Sequence, residues 1–181
     1  MDDRYEIRMS GLGGQGLILA GIILAEAAVL EGKNATHTQS HGAGVRGVNS
    51  QVDVIISDGE IDYPKVIAPD ILLILSQQAY DYHLQYPIKY VTMIVDSTSV
   101  SDIEFARGLI YHLPIAQTAR QIGNEIVSNI VALGTIAKLA RVREKGIVSI
   151  EMLERSIQTR VPEGTEDMNL EALHRGYELV D

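Results

Sequence analysis

The sequence predicts one three-layer α/β domain, with a Rossmann-like, mixed but mostly parallel sheet and helices at the C-terminal end. Three observations predict this fold class. Strand-length apolar runs alternate with helical segments through the first two thirds of the chain, helices alone follow, and a glycine-rich loop joins the first strand to the first helix. The chain has 181 residues, 46% of them hydrophobic, and no long linker, so we expect a single domain over residues 1–181.

The first strand is predicted at residues 5–9, where apolar and polar side chains alternate. Residues 15–31 are rich in Ala, Leu and Ile and predict a helix that Gly32 ends. A second, weaker strand is expected at 34–39. This order of strand, helix and strand is typical of the start of a doubly wound fold.

A hairpin is predicted over residues 44–61, and it makes the expected sheet mixed. Residues 51–57 alternate strongly and predict a strand, and 58–60 (Asp-Gly-Glu) predict a turn into a further short strand.

The remaining elements follow from apolar runs and helix boundary signals. The run at 70–76 has no polar interruption, as expected for a strand covered on both faces. Ser149 is a predicted N-cap, and the last helix is expected to be split near Asn169. The predicted strands are 70–76, 90–96 and 108–115, and the predicted helices are 77–86, 116–123, 128–142, 149–160 and 165–180.

Composition excludes several classes of function. The net charge is −9 and no run of Lys or Arg interrupts it, which disfavours nucleic acid and anionic membranes as partners. The chain has no cysteine, so it cannot supply thiolates for an iron–sulfur cluster, a zinc site or a nucleophile. The longest apolar run, 17–30, is shorter than the roughly 20 residues that a membrane helix needs. With no signal peptide visible, we expect a cytoplasmic protein.

The loop Gly-Leu-Gly-Gly-Gln-Gly at 11–16 matches the pattern G-x-G-x-x-G between a strand and a helix. Free backbone N–H groups and the positive end of the helix favour an anion at such a loop. A dinucleotide site usually has an acidic residue about 20 residues further on, and residues 34–40 contain none. No Lys-Ser or Lys-Thr follows Gly16, which disfavours an ATPase. We expect the loop to contact a phosphate or a partner, and tight helix packing is the structural alternative.

A second glycine-rich loop, residues 40–50, carries Ser40, His41 and Arg46. If the first two strands are parallel neighbours, this loop and the 11–16 loop form one rim. The Arg46 guanidinium would then hold a phosphate or carboxylate, and a salt bridge to a neighbouring acid is the alternative. His37 and His41 are not spaced on a helix, so the histidines predict no metal site, and no residue is assigned a catalytic step.

Several motifs in a fixed order give the chain a family resemblance. They begin with Gly11 and the Gly-Gly-Gln-Gly run, followed by Leu-Ala-Glu-Ala-Ala at 24–28. The next motifs are Gly-Val-Arg-Gly-Val-Asn-Ser at 44–50 and Asp-Ile-Leu-Leu-Ile-Leu-Ser-Gln-Gln at 70–78. A spaced motif of proline, asparagine and glycine follows, from Pro114 through Asn124 and Asn129 to Gly134. The last motif consists of Asn169, Ala172 and Gly176. Together they resemble the gamma subunit, or gamma domain, of the 2-oxoacid:ferredoxin oxidoreductases over nearly the whole chain. Val48 stands where the family pattern has glycine.

The resemblance implies a subunit that is not catalytic alone and borders a shared active site. Such enzymes convert a 2-oxoacid, coenzyme A and oxidised ferredoxin into acyl-CoA, CO2 and reduced ferredoxin. It also implies that thiamine diphosphate and the iron–sulfur clusters belong to alpha, beta and ferredoxin-like delta subunits, so this chain alone binds no cofactor. An isolated chain is expected to form a homodimer.

Matched by motif and loop position, the expected contact residues are Gly11, Gly13, Gly14, Gln15, Gly16, Ser40, His41 and Arg46. The segment Val-Pro-Glu-Gly-Thr-Glu-Asp-Met-Asn at 161–169 is more similar to gamma subunits of 2-oxoglutarate enzymes than to those of pyruvate enzymes, and indolepyruvate enzymes stay open. The alternatives from other classes are a free-standing dinucleotide-dependent oxidoreductase and a coenzyme A- or nucleotide-binding module without catalysis.

Overall fold

The computed structural model describes residues 4–41, 49–85, 91–103, 108–142 and 147–180. In these residues a central sheet has the strand order β2-β3-β1-β4-β5-β6. The strands are β1 Tyr5–Leu12, β2 Asn34–His41, β3 Asn49–Ser57, β4 Ile71–Ile74, β5 Val91–Asp96 and β6 Gly108–Leu113. The helices are α1 Leu17–Leu30, α2 Gln77–Leu84, α3 Ile115–Ile122, α4 Ser128–Val142, α5 Ile150–Arg160 and α6 Glu166–Glu178, with a 3-10 turn at Glu125–Val127.

The sheet is mixed, as predicted, and β3 alone runs against the other described strands. β1, β4, β5 and β6 pair in parallel, whereas β3 pairs antiparallel with both β1 and β2. β2 therefore runs in the same direction as β1 but is separated from it by β3. The α/β fold class is confirmed.

Helices cover both faces of the sheet, and β4 shows why its sequence is apolar throughout. Ile71 and Leu73 belong to the larger core, which lies under α1 and the C-terminal helices. Leu72 and Ile74 belong to a smaller core under α2 on the opposite face. A strand with both faces buried needs apolar side chains at every position.

The predicted hairpin was placed wrongly. It consists of β2 and β3, and residues 58–70 form no strand. Two prolines at 64 and 69 and the turn at Gly59 interrupt any regular pairing there. Charged side chains on β1 and just before it bind the backbone of this segment instead, through the Glu6 carboxylate and the Arg4 guanidinium.

The C-terminal helices pack closely through glycine. On α4, a Cβ added at Gly134 would collide with the backbone of α6 at Leu173, and a Cβ at Gly176 would collide with the backbone of α4 at Val131. The expected split near Asn169 is wrong: α6 is continuous, and the Asn169 side chain donates to the Thr165 carbonyl at 2.8 Å. Ser149 caps α5 as predicted, accepting from the Met152 N–H at 3.3 Å.

Within the described residues, no helix combines the length and the apolar character that crossing a membrane requires.

Candidate functional site

The candidate site lies at the edge of the sheet where β1, β4 and β5 end. The connection that follows β1 leads through α1 to the β2 and β3 side, whereas the connection that follows β4 leads through α2 to β5. The strand order therefore reverses between β1 and β4, and ligands of open α/β sheets bind in the crevice at such a point.

Gln15 holds the glycine-rich loop against the end of β4. Its Oε1 accepts from the Leu12 N–H at 2.6 Å, and its Nε2 donates to the Leu75 carbonyl at 3.0 Å. The side chain occupies the place where a Cβ at Gly11 would stand. The amide of Gln15 and the missing side chain of Gly11 thus fix the shape of the loop.

Two further glycines meet a backbone requirement. Gly14 and Gly16 have φ values of +91° and +70°, in the left-handed region that glycine adopts readily. Gly16 is the N-cap residue of α1, and its carbonyl accepts from Nδ2 of Asn129 at 3.0 Å. Asn129 lies at the start of α4, so this bond joins the loop to the C-terminal helices.

Gly13 differs from its neighbours, because nothing within the described chain requires glycine there. It is exposed, its φ lies outside the left-handed region, and an added Cβ would have no atom within 4 Å. A glycine that its own chain does not need is expected where another backbone or ligand approaches closely.

A cleft of about 270 Å³ opens beside this loop. It lies where the ends of β4 and β5, the start of α3 and the 3-10 turn come together. Its lining residues are Gly14, Gln15, Leu75, Asp96, Ala116, Glu125, Ile126 and Ser128. Ile126 is 65% exposed on this rim and gives it an apolar side chain.

The two acids of the cleft already have partners. The Asp96 carboxylate accepts from Ser99 Oγ at 2.6 Å and from the N–H groups of Thr98 and Ala116. The Glu125 carboxylate accepts from Arg120 Nε at 2.6 Å, and this hydrogen bond lowers the pKa of Glu125. Both acids therefore organise the cleft, and among its described lining residues none is placed as a free general base.

The predicted single rim is wrong in one respect. Ser40 and His41 end β2 at the same edge of the sheet as the glycine-rich loop, but β3 lies between β2 and β1. Two strand spacings put the β2 end about 10 Å from the β1 end. Ser40 is exposed, and Arg46 lies outside the described residues.

The sequence pattern predicts no role for Asn129 or Glu125 at the site. Asn129 belonged to the motif that carried the family resemblance, but its contact with Gly16 joins residues far apart in the chain. The position of Asp96 could have been identified from the sequence. It is a polar residue at the end of a buried parallel strand, and such residues lie at the edge of the sheet where ligands bind.

The described residues contain no group of three or more His, Cys, Asp or Glu side chains that could hold a metal ion. The buried polar cluster of Arg8, Asp53 and His83 lies on the α2 side of the sheet. Arg8 binds Asp53 through two hydrogen bonds of 2.8 and 2.7 Å. Burial, assisted by the Arg8 charge, lowers the pKa of His83 to about 4, so this imidazole is neutral at pH 7.

These features define a class of protein: an α/β domain with a cleft at the switch point of its sheet, bordered by a glycine-rich loop, apolar side chains and hydrogen-bonded carboxylates. Residues 6–179 match the pyruvate ferredoxin/flavodoxin oxidoreductase family. The chain belongs to this family, as a gamma-type subunit of the multi-subunit 2-oxoacid:ferredoxin oxidoreductases.

Similar proteins confirm the predicted resemblance and fold class. The 2-oxoglutarate synthase subunit KorC of Methanocaldococcus jannaschii is 46% identical over 181 residues, which cover 98% of this chain and 94% of that relative. The crystal structure of the keto/oxoacid ferredoxin oxidoreductase gamma subunit from Geobacter sulfurreducens has a TM-score of 0.84 at 42% identity, and the match covers 97% of this chain and 95% of that one.

More distant proteins share the fold. The pyruvate synthase subunit PorC of Thermotoga maritima is 29% identical over 187 residues, which cover 97% of this chain and 94% of that relative. The 2-oxoglutarate:ferredoxin oxidoreductase from Magnetococcus marinus, solved with 2-oxoglutarate, coenzyme A and succinyl-CoA bound, has a TM-score of 0.84 at 21% identity. That match covers 97% of this chain but 31% of the other, so the fold recurs there as part of a longer polypeptide.

Proposed function

We propose that this chain forms one wall of the coenzyme A path in a complex that oxidises 2-oxoglutarate, and that it is not catalytic alone. The reaction of the complex is oxidative decarboxylation of the oxoacid, with the acyl group passed to coenzyme A and the electrons to ferredoxin. The observation that carries the proposal is the cleft at the switch point of the sheet, bordered by an exposed glycine that its own chain does not require.

The substrate follows from the gradient of similarity. Identity is 46% to a 2-oxoglutarate synthase subunit and 29% to a pyruvate synthase subunit, over nearly the same share of the chain. A panel of oxoacids offered to the purified complex tests this assignment. We expect 2-oxoglutarate to give the highest kcat/KM; a higher value for pyruvate or an aryl pyruvate would refute it.

The chemistry of the cleft fits coenzyme A in two parts. Exposed backbone N–H groups at a helix N-terminus suit the anionic phosphates, and the glycine-rich loop lies at the start of α1. Leu75, Ala116 and Ile126 suit the neutral pantetheine arm. The Asp96 carboxylate beside them disfavours an anionic group at that place, whereas the Glu125 charge is balanced by Arg120. The Arg46 guanidinium is proposed as a further phosphate contact, and Ser40 and His41 as residues of the same edge.

Gly13→Asp in the assembled complex tests this contact. The substitution adds a negative charge at an open position, so we expect the KM for coenzyme A to rise about tenfold or more, with a smaller change in kcat. Gly59→Asp is the matched control, because Gly59 is also exposed and an added Cβ would meet only Ser57 Oγ, at 3.9 Å. An unchanged KM in the Gly13 variant would remove the loop from the coenzyme A path.

The same proposal assigns thiamine diphosphate and the iron–sulfur clusters to alpha, beta and ferredoxin-like delta subunits, and places the complex in the cytoplasm. The absence of cysteine from the 181 residues supports the assignment of the clusters. Purification by a tag on this chain tests it: we expect stoichiometric thiamine diphosphate and iron in the complex and neither in the isolated chain.

The strand order argues against the dinucleotide alternative. In a dinucleotide site the strand after the first helix lies beside the first strand and supplies the ribose-binding acid. Here β3 occupies that place, and β2 carries no acidic residue. We therefore expect NADH, NADPH and FAD to show no saturable binding to the chain.

A further inference from the structure

The segment between β3 and β4 contains a loop, residues 63–68, that is irregular in backbone yet held at many points. Arg4, just before β1, and Arg8, on β1, extend their side chains toward this loop. Their guanidinium groups donate to three of its carbonyls at 2.9, 2.9 and 3.0 Å, those of Tyr63, Lys65 and Val66.

Glu6 binds the same loop from its N–H side. One carboxylate oxygen accepts from the Ile67 and Ala68 N–H groups at 2.8 and 2.9 Å, and the other accepts from Arg4 Nε at 2.7 Å. Glu6 is buried, and hydrogen bonds to a charged group are stronger than neutral ones. The loop is therefore a fixed part of the surface, although it contains no helix or strand.

This fixed loop presents apolar side chains to the outside. Val66 points inward and is buried, whereas Ile67 is 75% exposed and Tyr63 is 50% exposed. Pro64 and Ala68 are exposed beside them. A rigid loop with outward aromatic and aliphatic residues loses little conformational entropy on binding, and such residues are the usual anchors of protein interfaces.

The charges around these side chains indicate what kind of surface they meet. Glu60 and Asp62 are exposed acids of the same segment, and Lys65 is its exposed cation. Asp58, also exposed, is paired with Lys33 at 3.0 Å, so Glu60 and Asp62 leave the segment acidic. The whole chain has a net charge of −9, so a second copy would bring like charge to this patch. The complementary surface is an apolar pocket with a basic rim on a different protein.

We propose that the 63–68 loop docks into an apolar, basic-rimmed pocket on another subunit of the oxidoreductase complex, with Ile67 and Tyr63 as anchors. The partner named here rests on the proposed function. The docking element itself rests on the loop and its contacts with Arg4, Glu6 and Arg8.

The test uses the complex obtained through a tag on this chain and measures rebinding of the chain to the remaining subunits. We expect Ile67→Asn and Tyr63→Ser each to raise the Kd about tenfold or more. Val29→Asn is the matched control, because Val29 is a 58% exposed aliphatic residue on α1, and its Kd should stay within about twofold of wild type. Unchanged circular dichroism and Tm in all three variants would show that the fold is intact.

Charge is tested separately. Asp62→Asn should weaken rebinding more at low salt than at high salt, whereas Glu163→Gln, another exposed acid at a distance in the chain, should leave it unchanged. Rebinding of Ile67→Asn at wild-type affinity would overturn the inference. So would loop variants that turn a dimer of the isolated chain into a monomer, because the loop would then be a self-contact.

The two proposals fail differently. If the tagged wild-type chain brings down no oxidoreductase subunit, the proposed function fails and the partner fails with it. If it does bring down those subunits but the loop variants do so equally well, the proposed function stands and the docking loop does not.

Discussion

At the scale of single residues, side-chain hydrogen bonds between distant parts of the chain hold the site in shape. Gln15 makes the clearest case, since its amide satisfies the N–H of Leu12 and the carbonyl of Leu75. The G-x-G-x-x-G pattern predicts a loop with free N–H groups, but it does not predict that its own glutamine folds back over Gly11. That contact depends on the position of β4, about 60 residues further along the chain.

Gln15→Ala is expected to lower the free energy of unfolding by about 1–3 kcal/mol. The substitution removes two part-buried hydrogen bonds, with the Leu12 N–H and the Leu75 carbonyl, and each such bond contributes about 0.5–1.5 kcal/mol. Urea unfolding of the isolated chain measures the change. Gln117→Ala, on the exposed surface of α3, should change stability by less than about 0.5 kcal/mol; an equal loss in both variants would contradict the role of Gln15.

The lowered pKa of His83 makes the free energy of unfolding depend on pH. Its pKa is lowered from 6.5 to about 4 by burial and by the Arg8 charge, so the unfolded chain binds the proton at a higher pH than the folded chain does. The stabilisation is complete above pH 6.5 and is lost as the pH falls toward 4. Between pH 7 and pH 5 we expect a loss of about 2 kcal/mol.

Urea unfolding at pH 7 and pH 5 checks this dependence, with His83→Gln as the comparison. The variant should lose much of the difference between the two pH values. A wild-type chain that is equally stable at both values would show that protonation of His83 is not coupled to folding.

At the scale of elements, local sequence patterns predict where strands and helices lie in the chain. They predict less well which strand pairs with which in the sheet. The apolar run at β4 predicts a strand buried on both faces, and α1 and α2 do cover it. The position of β3 between β1 and β2 could not be predicted in the same way, because antiparallel and parallel pairing of an alternating strand leave the same pattern along the chain. The prediction that the 11–16 and 40–50 loops lie side by side was wrong for this reason.

The contact between α4 and α6 is an element-scale feature that depends on two glycines, Gly134 and Gly176. Gly176→Ala places a methyl group against the backbone of α4 at Val131, where no flexible side chain can move aside. We expect a loss of about 1–3 kcal/mol in the free energy of unfolding, as overpacked cores show. Gly13→Ala is the matched control, because Gly13 has open space around it, and it should be nearly neutral.

At the scale of the whole molecule, this chain is one part of an assembly. Its described surface has two regions suited to contact, the edge with the glycine-rich loop and cleft and the separate 63–68 loop. Composition alone indicates that this chain supplies no cysteine ligand to an iron–sulfur cluster, since it has no cysteine. The family resemblance supplies the subunit assignment, which the similar proteins confirm and which periodicity and charge could not provide.

The most direct measurement is ferredoxin reduction by the complex purified through a tag on this chain, with 2-oxoglutarate and coenzyme A as substrates. We expect coenzyme A-dependent reduction by the complex and none by the isolated chain. Activity of the isolated chain would contradict the proposal that it is not catalytic alone. A purified complex that reduces ferredoxin with pyruvate but not with 2-oxoglutarate would contradict the proposed substrate.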